Sequence, residues 1–201
     1  MKREKMIKRL KAALDEDRYR HTLGVSETAV RMAETFGEDT EKAELAGLLH
    51  DCAKCMPLSE MQEAAKEAKP DEQMMQSRAL LHAAAGMCVA RKVYEVDDPE
   101  VLGAIRWHTT GKAGMTRLEK IVYLADMIEP NRTPYPGLDV LRRICFRDLD
   151  QAMHLALRMS TDHVLKQGKL LYRDTLAALR DYEPDALKDG QNKTEEKTTE
   201  V

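Results

Sequence analysis

Apolar residues recur at helical spacing along almost the whole of this chain, and no alternating strand pattern persists anywhere. Met6, Ile7, Leu10, Ala13 and Leu14 form one stripe over residues 2–14. His21, Val25, Ala29, Met32 and Phe36 follow at similar intervals over 17–36, with Gly37 as a stop. Thr40 is placed to cap a helix running to about residue 54, and Pro57 marks its end. A short helix is expected over 59–68, stopped by Pro70, and another over 79–92. Pro99 suits the first turn of a helix that ends at His108. Thr116 opens a further helix to Ile128, with Glu119 completing a capping box and Pro130 ending it. Two or three more helices are expected over 138–182.

From residue 183 the character changes. Residues 191–201 are a polar run of Lys, Thr and Glu, so 183–201 reads as a disordered tail. Residues 1–182 then form one all-α domain, and 201 residues are too few to favour two. The composition agrees: aromatics make up only 4%, against 43% hydrophobic and 33% charged residues, and Ala, Leu, Met, Glu, Lys and Arg favour helices. A net charge of -3 argues against a nucleic-acid partner. No apolar run approaches the roughly 20 residues that cross a bilayer, and no basic-plus-apolar signal opens the chain. No membrane partner is expected, and cytoplasmic residence is the simplest reading. The amphipathic helices leave room for a homodimer.

The chemistry lies in a short series of residues. Of the six histidines, His21, His50, His82 and His108 lie in apolar helical settings, joined by Asp51 and Asp126. His50-Asp51 closes the apolar run Leu45-Ala46-Gly47-Leu48-Leu49. A buried aspartate beside a buried histidine is costly unless something pairs with it. Imidazole and carboxylate donors suit Zn, Fe, Mn or Ni rather than Ca or Mg. Six such donors exceed the needs of one tetrahedral ion, so the series points to two metals, with Asp51 as the natural bridge. His154 and His163, late in the chain, read as ordinary histidines, and Trp107 as a core residue. Cys52 and Cys55 form a C-x-x-C, but neither Cys88 nor Cys145 has a close partner to complete a zinc site.

Cations lie near these donors in the sequence. Lys54, Arg132, Arg18 and Arg78 are candidate phosphate contacts, and Thr109 is a candidate hydrogen-bond donor to phosphate or ribose. Lys112 is a weaker candidate in a loop flanked by Gly111 and Gly114. No G-x-x-x-x-G-K-[ST] or G-x-G-x-x-G occurs, so phosphate recognition would rest on metals and side chains. No serine or cysteine nucleophile signature stands out, which leaves a metal-bound hydroxide as the expected nucleophile. Lys54 and Asp51 would assist it.

Five blocks together resemble the YqeK family of HD-domain proteins. They are Arg20-His21-Thr22, Leu49-His50-Asp51-Cys52-Ala53-Lys54, Leu81-His82-Ala83, Trp107-His108-Thr109-Thr110-Gly111, and Leu124-Ala125-Asp126-Met127-Ile128-Glu129-Pro130-Asn131-Arg132. The resemblance covers about residues 15–180. It implies an HD-type helical bundle with a buried dinuclear site. His21, His50, Asp51 and Asp126 would hold the first metal, and His82, His108 and the bridging Asp51 the second. It further implies iron, with Mn, Co or Zn as alternatives that the donors also accept, and symmetrical hydrolysis of diadenosine tetraphosphate and related dinucleoside polyphosphates to two ADP. Other HD-type chemistries stay open at this point. One group comprises a nucleotidase, a (p)ppGpp hydrolase and a cyclic-nucleotide phosphodiesterase. The others are a di-iron oxygenase and a non-catalytic nucleotide-binding protein.

Overall fold

The computed structural model describes residues 1–183, so the expected tail, apart from Glu183, lies outside the described residues. Eleven α-helices and one 3-10 turn account for the regular structure, with no strand among the described residues. Their order is α1 (Arg3–Ala13), α2 (Glu16–Phe36), α3 (Thr40–Leu49), α4 (Leu58–Ala64) with the 3-10 turn Ala65–Ala68, α5 (Glu72–Met75) and α6 (Arg78–Tyr94). Then follow α7 (Pro99–Trp107), α8 (Arg117–Ile128), α9 (Leu138–Ile144), α10 (Leu149–Lys166) and α11 (Arg173–Asp181).

Local chemistry explains most of these boundaries. Aspartates at 15, 39, 71, 98 and 148 accept hydrogen bonds from the first free N–H groups of α2, α3, α5, α7 and α10. The α3 cap is therefore Asp39, and Thr40 is the first helical residue. Thr116 and Glu119 form the expected capping box on α8. Gly37 ends α2 at φ 65°, a left-handed conformation that glycine adopts without strain. Three helices fill the region 138–182, and the single turn of α5 has no counterpart in the apolar pattern.

Helices α2, α3, α6, α7 and α8 pack against one another at the centre. Small residues set how closely. A side chain at Gly47 would collide with the backbone of Ser26, its Cβ only 2.9 Å from Ser26 Cα. Glycine there brings α3 tightly onto α2, and so His50 toward His21. Ala83, Ala84, Ala85 and Gly86 play a similar part on α6, where a Cβ at Gly86 would press on the His50 carbonyl at 3.3 Å. The main core runs through Leu10, Val25, Met32, Leu49, Ile105, Ile121, Leu124 and Leu157. A second cluster around Met61, Met74, Leu81 and Tyr172 ties α4–α6 to the C-terminal region.

Replacing Thr116 by Ala removes the side-chain half of the α8 capping box. The expected outcome is a loss of about 1 kcal/mol in unfolding free energy, measured by urea denaturation, with the far-UV spectrum of the native protein unchanged.

Candidate metal centre

Five separate segments bring the donor residues together. His21 lies in α2, His82 in α6 and Asp126 in the last turn of α8. His108 is the C-terminal cap of α7, as its position at the end of the expected helix implied. His50 is the C-terminal cap of α3, which stops at Leu49 instead of continuing to residue 54. Past that point the backbone makes tighter bonds, from Cys52 N to Leu49 O at 3.1 Å and from Lys54 N to Asp51 O at 2.9 Å. This turn lets adjacent residues 50 and 51 both face the centre. The four histidines and Asp51 are buried, and Asp126 is 20% exposed.

Each imidazole is oriented through its outer nitrogen. His50 Nδ1 lies 2.7 Å from Gly47 O, His108 Nδ1 2.8 Å from Ile105 O, and His82 Nδ1 3.2 Å from Arg78 O. His21 Nδ1 lies 3.0 Å from a carboxylate oxygen of Glu129. Carbonyl and carboxylate oxygens only accept, so Nδ1 carries a proton in all four rings and Nε2 is the nitrogen each ring can offer to a metal ion. Those Nε2 atoms converge on Asp51 and Asp126. Asp51 Oδ1 is 3.2 Å from His82 Nε2 and 3.5 Å from His108 Nε2. Its Oδ2 is 3.6 Å from His50 Nε2 and 4.0 Å from His21 Nε2. Asp126 Oδ1 completes the second side, 3.0 Å from His21 Nε2 and 3.7 Å from His50 Nε2.

Without a cation this arrangement is repulsive. His82 Nε2 and His108 Nε2 face each other at 3.1 Å, and two neutral rings protonated on Nδ1 have no hydrogen to share there. His21 Nε2, His50 Nε2 and Asp51 Oδ1 are buried with no hydrogen-bond partner, an expensive condition for polar atoms. Donor atoms roughly 3–4 Å apart are what metal–ligand distances of about 2.0–2.2 Å produce. The ligand atoms of His21, His50 and Asp126 all lie within 4.8 Å of one another, and so do those of His50, Asp51 and His108. The donor set therefore fits metal ions. Electrostatics points the same way. Burial holds the His50 imidazole neutral, its pKa lowered to about 3, and also lowers His82. Burial alone would raise the Asp51 carboxyl, yet it lies well below the usual carboxylate range because His50, His108 and His82 converge on it, a pull that takes protons on those rings or a cation in their place. Arg132 similarly overrides burial at Asp126.

The candidate phosphate contacts sit at different depths. Arg18 Nη1 pairs with Asp51 Oδ2 at 2.7 Å, and Arg132 pairs with Asp126 through its carboxylate and backbone oxygen. Lys54 Nζ donates to His82 Nε2 at 3.0 Å, and Thr109 Oγ1 lies 3.1 Å from His82 Nε2 and 3.0 Å from His108 Nε2. Arg78 is exposed and reaches only the Lys54 carbonyl, at 3.2 Å. Lys112 pairs with Glu119, and Trp107 is half-buried between Arg106 and Lys112 instead of lying in the core. His163 is exposed and His154 lies on α10, away from the donor cluster. Cys52 is buried and Cys55 exposed, and both are free thiols.

The loop after α8 holds Asp126 in place. Arg132 bonds the carbonyl of Asp126, Tyr135 that of Met127, and Arg142 those of Ile128 and Glu129. The last four carbonyls of a helix have no partner within it, so this loop and Arg142 of α9 supply them. Glu129, whose carboxylate backs His21, was not among the sequence candidates. One signal was available: an acidic side chain at a helix C-terminus opposes the helix dipole and needs another reason to be there.

The HD domain family matches residues 18–131, a span that includes all six donors. A symmetrical bis(5'-nucleosyl)-tetraphosphatase of Bacillus subtilis (strain 168) is 40% identical over 176 residues, 87% of this chain and 94% of that one. The chain belongs to the YqeK family of HD-domain proteins. A further relative within this family, a symmetrical bis(5'-nucleosyl)-tetraphosphatase of Staphylococcus aureus (strain NCTC 8325 / PS 47), is 34% identical, covering 92% of this chain and 98% of its own. The crystal structure of a predicted HD superfamily hydrolase involved in NAD metabolism from Clostridium acetobutylicum superposes with a TM-score of 0.87 at 40% identity, covering 90% of this chain and 97% of the other. HD-domain proteins bind divalent metals, and the clustered His and Asp donors are what that requires.

Acid should destabilise the metal-free protein before any carboxylate titrates. The folded His50 pKa of about 3 lies below the ordinary 6.5, so between these values the unfolded chain binds a proton that the folded one refuses. Stability is complete above pH 6.5 and falls as pH drops toward 3. In urea denaturation with a chelator present, His50 should account for about 2 kcal/mol less stability at pH 5 than at pH 7, and His50→Leu should remove that part of the slope and leave the part that His82 contributes.

Proposed function

We propose that this chain hydrolyses diadenosine tetraphosphate and related dinucleoside polyphosphates symmetrically, giving two ADP. In this reading His21, His50, Asp51 and Asp126 hold one metal ion, and His82, His108 and the second oxygen of Asp51 hold another. The observation that carries it is the division of the Asp51 carboxylate, one oxygen toward His82 and His108 and the other toward His21 and His50. That geometry lies in a chain that covers nearly the full length of relatives named as symmetrical tetraphosphatases. Iron is the ion the family resemblance favours, and the same donors accept Mn, Co or Zn.

Two cations bound by these residues would supply the acidity that water needs to attack phosphorus and the positive charge that non-bridging oxygens need. The protein's own groups position the phosphates. Arg18 and Arg132, which neutralise Asp51 and Asp126 in this geometry, present guanidinium groups at the mouth of the site, where each can bind phosphate through two parallel bonds. Lys54 adds a mobile ammonium beside His82, and Thr109 a hydroxyl beside His108. Arg78, one layer further out, would meet the more distant part of an extended substrate. Attack at a β-phosphorus breaks its bond to the central bridging oxygen, so each half leaves as ADP.

Incubation of the metal-loaded protein with diadenosine tetraphosphate in ¹⁸O-water tests this. Two ADP should form, with one label on the β-phosphate of one member of each pair. AMP plus ATP would overturn the symmetrical mechanism, and no turnover of any polyphosphate would overturn the hydrolase reading. Oxygen consumption during turnover would indicate an oxygenase instead.

Substitutions should separate the roles. Asp51→Ala is expected to abolish hydrolysis and metal retention together. Lys54→Ala and Arg132→Ala should slow turnover at unchanged metal content, by about a hundredfold if each stabilises charge in the transition state. His154→Ala and His163→Ala should leave both unchanged. Metal analysis alongside initial rates is the check.

A further inference from the structure

Glu129 is 1% exposed, and among the described residues no lysine or arginine pairs with its carboxylate. Its three partners are all donors: His21 Nδ1 to one oxygen at 3.0 Å, and the Asn131 backbone N–H and side-chain amide to the other at 2.6 and 3.0 Å. Room for this carboxylate comes from Gly24, in the middle of α2, where a Cβ would collide with Glu129 Oε2 and come within 2.9 Å of Asn131 Nδ2. A glycine inside a helix costs about 1 kcal/mol relative to alanine, so two locally unfavourable choices, Gly24 and a buried acid at a helix end, meet on one imidazole. The other three histidines are backed by backbone carbonyls.

We propose that Glu129, seated by Gly24 and Asn131, is a positioning residue that fixes His21 as the Nδ1–H tautomer and so keeps Nε2 free to bind the ion shared with Asp126. This rests on the reading of His21 as a metal ligand. The argument depends on Glu129 being a carboxylate and not merely polar. Glutamine has a single acceptor oxygen, and the two Asn131 donors claim it. Its NH₂ group then faces His21 Nδ1, which must become an acceptor. The ring proton moves to Nε2, where Asp126 Oδ1 at 3.0 Å accepts it, and the ligand atom is blocked.

The test uses the full chain, stripped of metal and ¹⁵N-labelled at histidine. Long-range ¹⁵N–¹H correlation should show a proton on His21 Nδ1 in the native protein and none on Nδ1 in Glu129→Gln. Titration with Mn(II), followed by the electron paramagnetic resonance of the free ion, should show affinity at the tighter position reduced by about tenfold to a hundredfold in Glu129→Gln. Gly24→Ala keeps both groups but removes the seat of the carboxylate. It should weaken Mn(II) binding in the same direction, and it decides the matter if Glu129→Gln does not fold. Native His21 found without a proton on Nδ1, or a folded Glu129→Gln with the native Nδ1 proton and native affinity, would overturn the proposal. So would unchanged Mn(II) affinity in Gly24→Ala. Equal Mn(II) binding by the native protein and Asp51→Ala would instead overturn the metal reading, while the tautomer measurement still judges Glu129.

Discussion

The structure depends on one buried charge, the carboxylate of Asp51. At 2% exposure an isolated carboxylate is untenable, so the fold surrounds it with positive and polarisable groups drawn from four of the five central helices. Arg18 comes from α2, His50 from the end of α3, His82 from α6 and His108 from the end of α7. Helix α8 adds no direct partner to Asp51. It brings Asp126 to the same imidazoles, so that a second carboxylate shares them. The close approach of α3 to α2 at Gly47 is a condition of this geometry, because a Cβ there would drive His50 and His21 apart.

The ends of helices perform a second task. His50 and His108 are C-terminal caps, and each gives its Nδ1 proton to a carbonyl three residues back. Those carbonyls belong to the last turn, where acceptors lack partners within the helix. A structural vacancy thus becomes the device that sets the ring orientation and tautomer. Asp126 also projects from a last turn, so α3, α7 and α8 all deliver donors from their C-terminal ends. The partial negative charge of a helix C-terminus favours cations, so the backbone adds to the attraction that the side chains exert.

Sequence patterning reveals the helices and the donors more readily than their arrangement. The stripe containing His21 and Val25, the proline at the start of α7 and the Thr116–Glu119 box are each local, and local interactions leave a periodic trace. The end of α3 does not. Leu48, Leu49, Cys52 and Ala53 are all buried, so the apolar pattern runs through the turn that separates them. Trp107 reads as core because tryptophan usually is, but it is half-buried with Arg106 and Lys112 against its ring. Glu129 escapes for a different reason. Its purpose is set by His21, 108 positions earlier, and by a glycine that looks in sequence like a mere weakness in a helix. Contacts over that range have no period to follow.

Charge balance connects the donor cluster to the kind of substrate it suits. The carboxylates of Asp51, Asp126 and Glu129 are matched in number by Arg18, Lys54 and Arg132, so the side chains alone are close to neutral. Two divalent ions would leave the site positive by four charges, the same as the negative charge on four singly ionised phosphates in a tetraphosphate bridge. A shorter phosphate chain would leave part of that charge uncompensated in a partly closed, low-dielectric setting, where it is poorly screened. On the proposed function the cationic side chains would have two roles that exclude each other in time. Arg18 and Arg132 pair with carboxylates here, and they would become available to phosphate once those carboxylates held cations. Metal loading would then create the anion site and release the groups that line it. Phosphate affinity would thus follow metal occupancy even though neither arginine is itself a ligand.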